Sequence, residues 1–418
     1  MSQNPRLLKE ADTLNEAGYE VRVVAPNKDE EKADLDREIV RERSWLLDSL
    51  SVQRETRGGE GHWTWLRAAL RQRCCQYLFQ AFPRRFVGQN IVDRAYSRYL
   101  DELVSKANAQ AADLYIAHNL QALPVAARAA SKYEVKLGFD AEDFHRGMLT
   151  DKASLRHHLT EEIESQYIPR CDYVTAASDG IADAYAEALD IERPTTILNV
   201  FPRSEREGHT PTDELEQEKP AGTYSLYWYS QVIGPDRGLQ DALRALPQLD
   251  ERVHISLRGE WMDGFREEFR QLARSLDVAH RVHHLPLVPP EQLIERASQH
   301  DVGLALEQAD TRNRQICVSN KLLAYLLAGL PVVATDTVGQ RGICEDLPQA
   351  TRLCPIGDPE ALAGAVQSLL RDEASLEKAK QAAYRAGEER FCWEKQKPRF
   401  IETIRHVLTE SQSSLSYA

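Results

Sequence analysis

Twice along this chain, short apolar runs alternate with Ala- and Leu-rich helical patterns, and that alternation limits the fold more than any other feature. In the first half the runs cover residues 21–25, "ADLYIAH" (112–118), "VKLGFD" (135–140), "YVTAAS" (173–178) and "TTILNV" (195–200). In the second half they are "YSLYWYS" (224–230), "VHISLRG" (253–259), "VHHLP" (282–286), "VGLALE" (302–307) and "PVVATD" (331–336). Helical patterns lie between and after them, at 123–132, 180–189, 320–328, 359–371 and 376–390. Strands that are apolar nearly throughout need both faces covered, which predicts parallel sheets flanked by helices. The fold class is therefore α/β, with two doubly wound domains whose ligands would sit at the carboxyl ends of the strands. A charged, turn-rich stretch, "RSEREGHTPTDELEQEKPAG" (203–222), reads as the linker. The expected organisation is 1–202, a linker at 203–222, a second domain at 223–395 and a closing helix at 396–418.

The 418 residues suffice for two domains, and 42% hydrophobic with 28% charged residues suits a folded, water-exposed protein. No run approaches the roughly 20 apolar residues of a membrane span, and polar residues follow Met1, which argues against a signal peptide. A net charge of −13 argues against general nucleic-acid binding. The seven cysteines are scattered and form no C-x-x-C pair, which fits a reducing compartment and no zinc site. Cytoplasmic location follows as the expectation.

Eight segments then occur in order: "EADTLNEAGYEVRVVA", "AHNLQALPVAARAA", "FDAEDF", "CDYVTAASDGIADAYAEAL", "ILNVFP", "IGPDRGLQDALRAL", "SNKLLAYLLAGLPVVATDTVGQ" and "FCWEKQKPRFIETIRHVL". Together they resemble the GT-B-fold glycosyltransferases of the retaining family 4. The resemblance spans nearly the whole chain and rests on the order of the segments. It implies two Rossmann-like domains, a nucleotide-sugar held mainly by the second, and a last helix that crosses back onto the first. Members usually begin with a strand and a Gly-rich loop, whereas only Met1–Gln3 precede Asn4 here. The expectation is that the first strand of the N-terminal domain is missing, or that the start given is late.

The resemblance assigns candidate residues. In "SNKLLAYL" the helix begins after Ser319, and a helix N-terminus with Lys321 in its first turn suits a diphosphate. Asn320 and Lys321 are donor-binding candidates. The family's paired glutamates would fall at positions 316 and 324, where this sequence has Ile316 and Ala324. Glu307, at a strand end, is the nearest acid; it is a donor-site candidate or a solvated carboxylate. In "SQVIGPDRGL", Arg237 takes the place of one diphosphate-binding cation, Gln231 stands where the other is expected, and Gly238 follows. Gly259 and Glu260 complete the donor set. On the acceptor side, His118 ends a strand and Glu142 lies in "FDAEDFH", both candidates for catalysis together with Arg237 and Lys321. No metal site and no cofactor beyond the nucleotide-sugar substrate are implied. The adjacent histidine pairs at 157–158 and 283–284 have poor ligand spacing and read as structural.

One stretch stands apart. From Arg54 to Phe86 there are seven arginines against two glutamates in an otherwise acidic chain. Trp63, Leu66, Leu70, Cys74, Tyr77 and Ala81 fall on one helical face, with Arg67 and Arg71 on another. Such a helix packs its apolar face on the domain, or lies on a membrane surface through residues 63–82. The functional expectation is transfer of a sugar from a nucleoside-diphosphate sugar to a glycan, a lipid-linked acceptor or a small molecule, as in polysaccharide biosynthesis. Retention without a metal is the route the resemblance implies. The rivals are a degenerate sugar-nucleotide-binding or partner-binding protein and a sugar-nucleotide epimerase of the same fold.

Overall fold

A computed structural model describes residues 4–27, 30–52, 59–207 and 218–415. The chain divides into two compact units: Met1–Ala177 with Ile181–Ile197 and Lys397–Ala418, and Ser178–Gly180 with Leu198–Gln396. Half of the linker stretch, 208–217, lies outside the described residues; its first part forms a short helix, Ser204–Glu207.

The first unit opens with the helix Pro5–Glu16, started by Pro5 in the first turn and by the Asn4 side-chain oxygen Oδ1, which accepts from the Leu7 N–H at 3.0 Å. Gly18, at φ 90°, turns the chain into strand β1 (Arg22–Asn27), which pairs in parallel with β2 (Leu46–Ser51). Ala11, Val23 and Trp45 form the small core between this helix and the ribbon. A separate four-stranded parallel sheet carries β3 (Leu114–His118), β4 (Lys136–Ala141), β5 (Tyr173–Ala176) and β6 (Thr195–Thr196) in that order. Among the described residues β1 and β3 share no ladder, so this unit holds two sheets where a continuous doubly wound sheet would hold one. The closing helix, Trp393–Leu415, returns to this unit, and Lys397 pairs with Glu16 of the first helix.

The second unit holds one six-stranded parallel sheet built from β7 (Tyr224–Ile233), β8 (Val253–Trp261), β9 (Val282–Leu285), β10 (Val302–Ala305), β11 (Val332–Thr335) and β12 (Thr351–Cys354). Their order is β12-β11-β10-β7-β8-β9. β10 and β11 are buried at every residue, as their unbroken apolar sequence requires. Leu226, Trp228, Ile255, Leu257, Leu304 and Val333 centre its core.

Two strands went unseen in the sequence: β2 is half exposed, and β12 is a four-residue strand at the sheet edge. β6 is shorter than "TTILNV" suggests. Beyond it the Ile197 carbonyl accepts from Arg6 at 2.6 Å and the Leu198 N–H donates to Gln396 at 3.1 Å, so side chains take over from the ladder. All seven cysteines are free thiols.

Candidate active site

In the second unit, strand ends gather three of the expected charges. Glu307 follows β10, and its Oε1 accepts from Lys321 Nζ at 3.0 Å and from Ser319 Oγ at 2.8 Å. Lys321 sits in the first turn of the helix Asn320–Ala328, with its ammonium 5.5 Å from the centre of the Trp228 ring. The Lys321 charge pulls Glu307 down to about 2 against the opposing effect of burial, and Arg237 adds to the pull. Glu307 is therefore a half-buried partner of Lys321, not the solvated strand-end acid that was one of its two readings. Thr335 Oγ1, at the end of β11, donates to the Glu307 carbonyl at 2.6 Å and fixes this strand end.

Ser319 has the extended backbone of a helix cap, but its hydroxyl is turned to Glu307, and no side chain caps the helix. The first-turn N–H groups are left for another acceptor. Two glycines shape the surroundings. Gly238 has φ 70°, and a Cβ there would stand 2.6 Å from Leu306 Cβ and 2.9 Å from the Leu306 carbonyl oxygen. Gly259 has φ 146°, and its Cβ would meet the Ser230 carbonyl oxygen at 2.3 Å. Both admit backbone where a side chain would collide. Gln231 and Glu260 are exposed, on β7 and β8, where the β7 register slips between Tyr229 and Val232; Asn320 is exposed beside Lys321. The structure thus joins Lys321 to Glu307 and leaves Arg237 within electrostatic reach of that carboxylate, while no contact joins Gln231 or Glu260 to them among the described residues.

In the first unit a second cluster forms at the ends of β3 and β4. His118 lies between carboxylates: Nε2 is 3.5 Å from Glu10 Oε2, and Nδ1 is 3.4 Å from Asp140 Oδ2 and 4.0 Å from Glu142 Oε1. Asn4 donates to Glu142 at 2.6 Å. Arg6, fully buried, grips both Asp140 oxygens at 2.6 and 2.7 Å and lies 3.2 Å from Glu10. Burial opposes the His118 imidazolium, yet Glu10 and Asp140 raise it to about 9. Burial and the neighbouring Asp140 raise Glu10 to about 7 and push Glu142 upward as well. Burial alone would raise Asp140, but Arg6 and His118 hold its carboxyl far below the usual range. The neighbouring carboxylates thus favour the charged form of His118, while burial and the Asp140 charge disfavour the charged form of Glu10.

Ligand atoms of Glu10, His118 and Asp140 lie within 4.8 Å of one another, close enough to hold a metal ion. The Arg6 guanidinium already supplies positive charge there, and both Asp140 oxygens accept from it. Sequence reasoning named His118 and Glu142 but missed Arg6, Glu10 and Asp140. A signal existed: Arg6 and Glu10 sit one turn apart on the inward stripe of the first helix, beside the apolar Leu14.

Two family models match the chain: "Glycosyl transferase 4-like domain" over residues 3–199 and "Glycosyl transferases group 1" over residues 225–372. The chain belongs to the GT-B-fold glycosyltransferases. The fold of this glycosyltransferase resembles that of HepE from Anabaena in complex with UDP, at TM-score 0.67 and 17% identity over 96% of this chain and 95% of that one. It also resembles sucrose-phosphate synthase from Thermosynechococcus elongatus, at TM-score 0.73 and 15% identity over 98% and 94%. In sequence it is 24% identical over 252 residues to the D-inositol 3-phosphate glycosyltransferase of Corynebacterium diphtheriae, covering 54% of this chain. That match spans 55% of the relative's length, about half. In this glycosyltransferase the positions of the two expected glutamates, Ile316 and Ala324, are buried apolar residues, 1% and 0% exposed.

Proposed function

We propose that this chain transfers a sugar from a nucleoside-diphosphate sugar to a hydroxyl-bearing acceptor, a glycan, a lipid-linked sugar or a small molecule. Retention of anomeric configuration and independence of a metal belong to the same reading. The carrying observation is the Lys321–Glu307–Arg237 group at the strand ends of the second unit. Two cations against one half-buried carboxylate leave a net single positive charge, and the uncapped N–H groups beginning at Asn320 add to it. That supply suits a diphosphate leaving group. Glu307 holds the Lys321 ammonium in place and leaves two of its three protons free to donate. Gln231, Gly238, Gly259, Glu260 and Asn320 would border the donor.

In the transfer, the bond from the anomeric carbon to the diphosphate oxygen breaks and the acceptor oxygen bonds to that carbon. The acceptor proton passes to the departing phosphate. Arg237 and Lys321 stabilise the charge that develops there. His118, as an imidazolium, donates to a sugar hydroxyl, and Glu142 serves substrate contact or proton handling.

HepE of Anabaena was solved with UDP and with UDP-glucose, which makes these the first ligands to try. Titration calorimetry of the full-length protein should show uptake of UDP or GDP, weakened about tenfold or more by Lys321→Ala and by Arg237→Ala, each cation being worth roughly 1.5–3 kcal/mol as a charged donor. Absence of uptake, or unchanged uptake in both variants, overturns the reading. A second reading, nucleotide binding without transfer, is favoured by the apolar Ile316 and Ala324. It predicts uptake with no release of UDP from UDP-glucose across an acceptor panel.

A further inference from the structure

The helix Glu60–Ala81 belongs to the first unit and runs 22 residues, about 33 Å. Its inward face is Ala68, Cys75 and Phe79, all buried. Gln72 and Gln76 tie that face to the Ala95 carbonyl at 3.1 and 3.0 Å. Of the two readings of this helix, packing of the face of Trp63, Leu70 and Tyr77 on the domain is the one the structure contradicts. Trp63 is 53% exposed, Leu70 57% and Tyr77 70%, and beyond the helix end Phe82 is 55% and Phe86 70% exposed. The helix is apolar on two sides, and the side that carries Ala68, Cys75 and Phe79 turns towards the helix Gln89–Tyr96. A stripe of this size left in water marks an interaction surface.

Charge says what kind. Residues 61–92 hold five arginines and no carboxylate, in a chain of net charge −13. Arg71 turns inward to Glu102 at 2.6 Å and Asp101 at 3.3 Å, and Arg84 lies 3.5 Å from Glu162. Arg67 and Arg73 are exposed, with no ion pair among the described residues, and flank the aromatic stripe. Arg85 lies over the Phe86 ring at 4.9 Å. Trp, Tyr and Phe rings interleaved with arginines along one straight face fit the boundary between lipid headgroups and acyl chains. Two copies of this face would set arginine against arginine, which disfavours self-pairing. Among the described residues no helix is long and apolar enough to cross a membrane, so the contact is peripheral.

We propose that the outer face of Glu60–Ala81, continued by Phe82 and Phe86, docks on an anionic lipid surface. Vesicle binding does not depend on whether the chain transfers a sugar. The test is flotation of the full-length protein with phosphatidylcholine vesicles, with and without about one third phosphatidylglycerol. The wild type should float with the anionic vesicles and not with the neutral ones, and should release as salt screens the contact. Arg67→Glu/Arg73→Glu should weaken partition at least about thirty-fold, since each arginine near an anionic surface contributes roughly 1 kcal/mol. Trp63→Ala/Tyr77→Ala should also weaken it. All four positions are exposed, so melting temperatures should match the wild type. The proposal is overturned by no flotation, by equal flotation of the wild type and both variants, or by a dimer in sedimentation velocity that the arginine variant dissolves. Binding of an acidic protein with indifference to anionic vesicles overturns it as well.

Discussion

Lys321→Met tests the ion pair at the centre of the second unit. Glu307 drops from its ordinary 4.5 to about 2 in the folded chain, which corresponds to about 3 kcal/mol of preference for the carboxylate. Lys321 is the largest cause, with Ser319 and Arg237 contributing. The two side chains are only 13% and 15% exposed, so solvent screens the pair little. Methionine keeps the length of the stem and its packing on Trp228 while removing the charge, so the loss should be about 2 kcal/mol at pH 7, below the cost of breaking a fully buried pair. The sign follows from linkage. A carboxyl whose folded value is depressed stabilises the fold above its unfolded value of 4.5, and that contribution fades as pH falls through about 2. Urea denaturation followed by circular dichroism should therefore show a wild-type advantage of about 2 kcal/mol at pH 7 that shrinks towards zero near pH 2. An advantage that stays constant from pH 7 to pH 2, or that is missing at pH 7, refutes the argument.

Two further predictions concern the backbone and the first unit. Gly259→Ala should cost about 3 kcal/mol or more, because its Cβ would meet the Ser230 carbonyl oxygen at 2.3 Å, whereas Gly264→Ala, with φ 81° and nothing within 4 Å, should cost less, only the backbone strain of roughly 1–2 kcal/mol that positive φ brings. Thermal unfolding of the two variants checks this, and equal melting temperatures contradict it. His118, raised from 6.5 to about 9, stabilises the fold as an imidazolium; that contribution is complete below pH 6.5 and is lost as pH rises through about 9. Denaturation of His118→Gln should accordingly show a flatter pH dependence between pH 6.5 and 9 than the wild type, and identical slopes would dismiss the charged histidine.

The sequence by itself determined the two α/β halves, because a strand buried on both faces must be apolar throughout and so announces itself, as β10 and β11 do. It also placed Lys321 and Arg237, since a helix start and a turn-glycine motif are local patterns. The tertiary structure decided everything that depends on partners distant in sequence. Glu307 looks like any strand-end acid until Lys321, fourteen residues on, closes on it. Arg6, Glu10 and Asp140 gain their roles only when a helix and a strand 134 residues apart meet at Arg6 and Asp140. The face that Glu60–Ala81 turns outward was likewise set by tertiary packing. Both of its sides are apolar, so periodicity could not choose between them; the side that went inward is the one whose Gln72 and Gln76 reach the Ala95 carbonyl.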